Sequence, residues 1–304
     1  MEQEIQWILQ EKYGGRECPE FFADVERLKE GEHVDYIIGF ASFLDCRINL
    51  GSHPLIPRPE TEHWTERVIS NLLSFDSISD VKECHSSESS RSSASMVPRA
   101  NEVSREGGGT RAQTPKSRWD FEGRLPRVAF QTSECQLRVL DIFAGSGCIG
   151  IAILAHVPFA TVDFAEKEER HLKQIEENAK ENGIDPARFC VTQSDVFSNI
   201  SERYNLIVAN PPYIAKSRRE GVQQSVLLQE PHEALFAKED GLAFIRLLIK
   251  NAPNYLEVGG SLVFEFDDWQ KPIIEELLSH SQFSLWQTHK DQYGAWRWCS
   301  AHLC

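Results

Sequence analysis

From Leu137 to His280 the chain alternates short apolar runs with longer amphipathic ones: LRVLDIF, then CIGIAILAHV; ATVDFA, then KEERHLKQIEENAKENG; FCVTQS; YNLIVAN; GLAFIRLLIKNAPNYL; SLVFEF; KPIIEELLSH. Runs this short and apolar suit strands buried on both faces, and the stretches between them are long enough for the crossover helices that parallel strands require. The fold class is therefore α/β, a doubly wound and mostly parallel sheet with helices on both faces. In such a sheet a ligand sits at the carboxyl ends of the strands, where the strand order reverses.

The first run ends in LDIFAGSGCIG, in which Gly145, Gly147 and Gly150 have the G-x-G-x-x-G spacing of a nucleotide loop. A dinucleotide loop holds a pyrophosphate on the helix N-terminus, after a strand that brings only apolar residues to the first glycine. Here Asp141 lies just ahead of the glycines. S-adenosylmethionine (SAM) carries no phosphate but a sulfonium, an ammonium and a carboxylate, so an acid at this point can meet its positive end or the loop amides. Asp141 thus favours SAM, contacted by the loop Phe143, Ala144, Gly145, Ser146 and Gly147. Glu166, after TVDFA, is expected to accept from both ribose hydroxyls, with Asp163 as its rival. Asp195, at the end of the third strand, is placed to take the adenine amino group while Val196 packs on the ring; the alternative is an N-cap aspartate.

The fourth strand, YNLIVANPPY, places Asn210, Pro211, Pro212 and Tyr213 beside that loop. Consecutive prolines fix φ and donate no hydrogen bond. The Asn210 side-chain oxygen and the Pro211 carbonyl can then accept both N–H bonds of a planar NH2 group, with the Tyr213 ring on its plane.

The rest of the chain bounds the reading. A net charge of −14 disfavours nucleic acid as the main substrate, because duplex binders present clustered Lys and Arg. No apolar run approaches the ~20 residues of a membrane span. Eight cysteines are scattered without a C-x-x-C, which fits a reducing compartment and no metal site; the alternation Trp298, Ser300, His302 suits an edge strand better than a ligand cluster. Residues 74–136, rich in Ser, Gly, Arg and Pro, read as a disordered insert. Residues 1–73 read as a helical, turn-rich module whose last helix starts near Pro59 or Glu60, and 137–304 as the catalytic domain.

With those residues in view, the chain resembles the HemK/PrmC family, SAM-dependent methyltransferases that modify the glutamine amide nitrogen of the GGQ motif in peptide-chain release factors. LIPRPETE (Leu55–Glu62) resembles the family's PRPxTE segment, DYIIGFASF its N-terminal Y-I-x-G-x-x-x-F, and Glu230-Pro231-His-Glu-Ala234-Leu235 its E-P-x-x-A-L stretch. The resemblance implies a seven-stranded Rossmann-like methyltransferase sheet and SAM as cofactor. It also implies a release-factor partner, catalytic Asn210, Pro211, Pro212 and Tyr213, and substrate contacts from Arg58, Pro59, Glu60 and Thr61. It further implies a monomer in mitochondria, although MEQEIQWILQEKYGG lacks the plan of a transit peptide and otherwise suits the cytoplasm. Two departures stand out: Phe143 replaces the first glycine of D-x-G-x-G-x-G, and Glu265-Phe-Asp-Asp-Trp-Gln270 replaces E-x-G-x-x-Q. The rival readings are an amino-methyltransferase acting on adenine or guanine in DNA or RNA, a SAM-binding regulator, and an NAD oxidoreductase.

Overall fold

The computed structural model describes residues 1–74, 136–215, 217–218 and 230–304, so the expected insert lies outside the described residues except for its two end positions. Helices α1 (Glu2–Trp7), α2 (Pro19–Lys29) and α3 (Val34–Ile38) open the chain around a small core of Ile8, Phe21, Val25, Leu28, Val34 and Ile37. Cys18 in extended backbone and Pro19 at the first helical position start α2, and Gly39 at φ 94° stops α3.

A hairpin follows that the helical reading of this module did not anticipate, β1 (Phe40–Phe43) with β2 (Cys46–Asn49). Its two turn residues, Leu44 and Asp45, both have positive φ, 46° and 62°, where Asn-Gly would be the usual signal. Leucine in that conformation costs about 1–2 kcal/mol. The cost is offset by tertiary bonds: Leu44 N–H donates to Glu62 Oε1 (2.8 Å), and His156 Nε2 donates to the Leu44 carbonyl (2.8 Å).

Helix α4 (Pro59–Leu73) starts at Pro59, as its sequence indicates, and lays Trp64, Val68 and Leu72 into the main core. Beyond residue 136 come β3 (Leu137–Ile142), α5 (Cys148–His156), β4 (Ala160–Glu166), α6 (Glu169–Glu181), β5 (Phe189–Gln193), β6 (Tyr204–Ala209), β7 (Ile214–Ala215), β8 (Phe236–Ala237), β9 (Leu256–Glu265), β10 (Phe283–Lys290) and β11 (Trp296–Leu303). Among the described residues, seven strands form one sheet in the order β10-β11-β9-β6-β3-β4-β5. All pairs from β9 to β5 are parallel, and the pairs involving β11 are antiparallel. The chain builds outward from β3 through β4 to β5 and then returns to β6 on the other flank. The order therefore reverses between β3 and β6, which brings the glycine loop beside Asn210.

Gly150 lies where α5 crosses the sheet. An alanine Cβ there would stand 2.8 Å from Phe164 Cζ and 2.9 Å from Val162 Cγ1, inside their van der Waals surfaces. Gly150→Ala is expected to destabilise the fold by about 1–3 kcal/mol or more through overpacking, read as a lower urea midpoint at unchanged m.

The edge-strand expectation for Trp298, Ser300 and His302 is corrected. β11 is an inner strand, Trp298 to Ala301 are all buried, and β10 forms the edge. The alternating polar residues imitate a solvent face because they are paired inside: His302 Nδ1 lies 2.7 Å from Ser261 Oγ, and His289 Nε2 lies 3.1 Å from Ser300 Oγ. Burial lowers His289 to about 3, with Arg67 and His302 adding to the shift, and lowers His302 to about 4.

Both imidazoles are neutral in the fold, whereas the unfolded chain takes up protons below about pH 6.5. Stability is therefore lost as pH falls from that value toward about 4. Buried carboxyls such as Asp141, held high, act in the opposite sense, so the variant comparison isolates the histidine. His302→Gln is expected to remove up to about 1.4 kcal/mol of acid destabilisation per pH unit in that window. Urea titrations of parent and variant at pH 7 and pH 5 measure the difference.

Candidate active site

Two cavities open at the reversal point and share Asn210. The smaller, about 260 Å³, is lined by Phe143, Gly145, Glu166, Asp195, Val196 and Pro212 among others. The larger, about 540 Å³, is lined by Arg58, Pro59, Glu60, Pro211, Tyr213 and Arg218 among others. Asn210 directly follows β6 and stands in the wall of both.

Around the smaller cavity the residues separate into those that face it and those that hold them. Gly145 (φ 54°) has no described atom within 4 Å of where a Cβ would stand, so its bare backbone opens on space. Gly147 (φ 79°) instead packs on Ile175 and Ile151, and Ser146 is buried with its carbonyl accepting from Asn178 Nδ2 (3.0 Å). Ala144 is buried likewise. The expectation that the whole loop faces the ligand is thus corrected to Phe143 and Gly145. Phe143 has φ 62°, the left-handed conformation that a glycine adopts freely, which accounts for a glycine at this point of the resembled pattern. Its ring meets Phe244 edge-on at 5.1 Å and lines the cavity.

Asp141 is fully buried and lines neither cavity, so of the two partners expected of it, the positive end of the cofactor and the loop amides, it meets the second. Its Oδ2 accepts from Gly150 N–H (2.8 Å), fastening α5 to β3 beneath the loop, while Oδ1 has no partner among the described residues. Burial pushes its carboxyl up to about 8, against the Gly150 bond. Glu166 is also buried, and burial raises it as well. Its Oε2 accepts from Gly145 N–H (2.7 Å) and its Oε1 from Glu168 N–H (2.8 Å), so it braces the loop and lines the cavity at once. Asp163 lies lower on β4, accepts from the Tyr204 hydroxyl (2.8 Å) and does not reach the cavity. Asp195 is exposed on the cavity rim, 3.2 Å from Lys167 Nζ, with Val196 at φ 55° beside it.

On the larger side a residue not chosen from the sequence organises the site. Glu265, buried at the end of β9, accepts from Thr61 Oγ1 (2.6 Å) and Trp64 Nε1 (2.9 Å) at Oε2, and from the Tyr213 hydroxyl (2.8 Å) at Oε1. Burial raises its carboxyl, and the three donors and Arg297 pull it back down. Asn210 Nδ2 in turn donates to Thr61 Oγ1 (3.2 Å).

Thr61 is therefore corrected: it is buried, lines neither cavity, and holds Asn210 rather than a substrate. Gln270 Nε2 donates to the Tyr213 carbonyl (3.0 Å), so Glu265 and Gln270, the two ends of the segment in which Asp267 stands for the pattern's glycine, clamp Tyr213 at both ends. The available signal was an acid at the end of the apolar run SLVFEF, which must find donors once buried. Arg58 pairs with the buried Glu230, joining the PRPETE segment to the EPHEAL segment, and the Arg218 guanidinium lies 4.3 Å from the centre of the Trp269 ring.

Comparison with known proteins bears on this geometry. Residues 125–245 match the family model described as methyltransferase small domain. A release factor glutamine methyltransferase of Streptococcus pneumoniae is 30% identical over 290 residues, spanning 95% of this chain and 81% of that protein. Proteins of the same description from Flavobacterium psychrophilum (26% identity, 88% and 74%) and Thermodesulfovibrio yellowstonii (28% identity, 89% and 76%) are also similar.

Proposed function

The chain belongs to the family of release factor glutamine methyltransferases, and we propose that it methylates the side-chain amide nitrogen of the glutamine in the GGQ motif of a peptide-chain release factor. The observation that carries the reading is the position of Asn210, shared by a cavity bordered by the glycine loop and a cavity bordered by the PRPETE segment.

The residues of the smaller cavity fit SAM. Gly145 offers open backbone, Glu166 keeps unused lone pairs beyond its two amide bonds, and the unpartnered Asp141 oxygen beneath the loop is favoured in its charged form by a nearby cation. Glu166 would hold the ribose, Asp195 the adenine amino group, and Val196 and Phe143 the apolar ring faces. SAM, when bound, would supply a methyl group to the nucleophile's electron pair, the S–C bond breaking and the sulfur leaving as a neutral thioether.

An amide nitrogen is a poor nucleophile because its lone pair is delocalised into the carbonyl. Asn210 Oδ1 and the Pro211 carbonyl, accepting its two N–H bonds, raise electron density on nitrogen and fix its direction. Positioning and oriented dipoles are then the main catalytic levers. Asn210 cannot take a proton, and the surplus proton leaves after transfer. Tyr213, anchored through its hydroxyl and its carbonyl, presents its ring as a fixed wall. A net charge of −14 supports a protein rather than a nucleic-acid partner, engaged by the chain as a monomer. A mitochondrial site of action rests on the resemblance alone.

Incubation with labelled SAM and a GGQ-containing release factor, followed by mapping of the labelled residue, tests the proposal. Label on the glutamine amide is the expected result; label on a nucleic-acid base or a lysine, with the release factor untouched, overturns it.

A further inference from the structure

Two buried side chains that line neither cavity control one that lines both. Glu265 receives three donors, and one of them, Trp64 Nε1, can only donate, so Oε2 is an acceptor. The Thr61 Oγ1 to Glu265 Oε2 distance, 2.6 Å, is that of a hydroxyl donating to a carboxylate. A threonine hydroxyl has a single proton, and here Glu265 takes it. Toward Asn210 the Thr61 oxygen can then only accept, so the Asn210 group 3.2 Å away is the NH2. The amide is planar, which leaves Oδ1 on the opposite side, away from Thr61 and free for the crevice.

We propose that Thr61 and Glu265 are positioning residues that fix the orientation of the Asn210 amide, and that this orientation makes the site select an NH2 group over a carboxylate. The inference rests on the reading of a glutamine amide as substrate. An Asn210 with its NH2 turned outward would favour a glutamate carboxylate in the same place; with Oδ1 outward, glutamate sets oxygen against oxygen. The other oxygen of Glu265 meanwhile holds the Tyr213 hydroxyl, so one carboxylate on β9 orients both side chains that flank the substrate position.

The test uses the full chain with Thr61→Val, which keeps the shape and removes the hydroxyl, and Thr61→Ser, which restores it. The first readout needs no substrate. Hydrogen exchange of the Asn210 side-chain NH2, followed by nitrogen-15 NMR, should be about tenfold or more faster in Thr61→Val and slow again in Thr61→Ser, since the bond that protects it is lost and regained. The second is the ratio of dissociation constants for a GGQ release factor and its Gln→Glu form. Wild type should prefer glutamine strongly, and Thr61→Val should narrow that preference by about tenfold or more while SAM affinity stays within a few-fold. Loss of packing alone would weaken both forms in parallel.

Unchanged exchange, or a preference that does not narrow, overturns the inference. If wild type neither binds nor methylates the release factor, the substrate reading fails and the preference for glutamine over glutamate fails with it, while the exchange readout still decides the amide orientation.

Discussion

Asn210→Ala is expected to lower kcat for release factor methylation by about 10²–10³-fold, the scale seen when one oriented polar group is removed from a reacting centre, while SAM affinity stays within a few-fold. The truncation deletes the acceptor aimed at the substrate and leaves the glycine loop, Glu166 and Asp195 in place. Asn210→Asp separates the sequence argument from the structural one. On sequence alone it is the milder change, because a carboxylate still accepts. In the structure the Thr61 proton belongs to Glu265, so an aspartate would set an oxygen against Thr61 Oγ1 where the Asn210 NH2 now donates. Its charge would also stabilise the sulfonium before transfer more than during it. Asn210→Asp should therefore fall at least as far as Asn210→Ala. Steady-state kinetics with calorimetric SAM titration measure both, and wild-type turnover in either variant would remove Asn210 from the mechanism.

Glu166→Ala should weaken SAM binding by about 10²-fold or more. Its carboxylate bonds two loop amides and keeps lone pairs for a ribose diol, and hydrogen bonds to charged groups contribute roughly 1.5–3 kcal/mol each. The variant loses the ligand bonds and the brace on Gly145 together, so Glu166→Gln, which retains one acceptor oxygen, should lie between it and wild type. Asp163→Ala should leave SAM affinity unchanged and reduce stability, since Asp163 serves Tyr204. Calorimetry showing the reverse order, with Asp163→Ala weakening SAM and Glu166→Ala silent, would reassign the ribose acceptor.

Much of the fold is legible locally. The parallel sheet follows from short apolar runs separated by amphipathic helices, and the start of α4 from Pro59 behind an extended Arg58. The β1–β2 hairpin is not, because its turn uses Leu44 and Asp45 and is held by Glu62 and His156, far along the chain. β10 and the burial of β11 escape for a related reason: the histidines and serines of β9, β10 and β11 satisfy one another indoors, so their alternation reads as a solvent face.

At the site the same division holds. By itself the sequence determined which groups stand at the strand ends: the glycine loop, Glu166, Asp195 and the Asn210–Tyr213 array, because strand period, proline geometry and glycine freedom are properties of neighbouring residues. Only the tertiary structure decided which of them face a ligand and which hold the others. It turned Asp141 and Thr61 inward, left Gly145 and Asn210 open, and placed Glu265 opposite a threonine 204 residues away in the chain. A buried polar group must find its donors wherever the fold brings them, and that pairing is set by packing between distant segments.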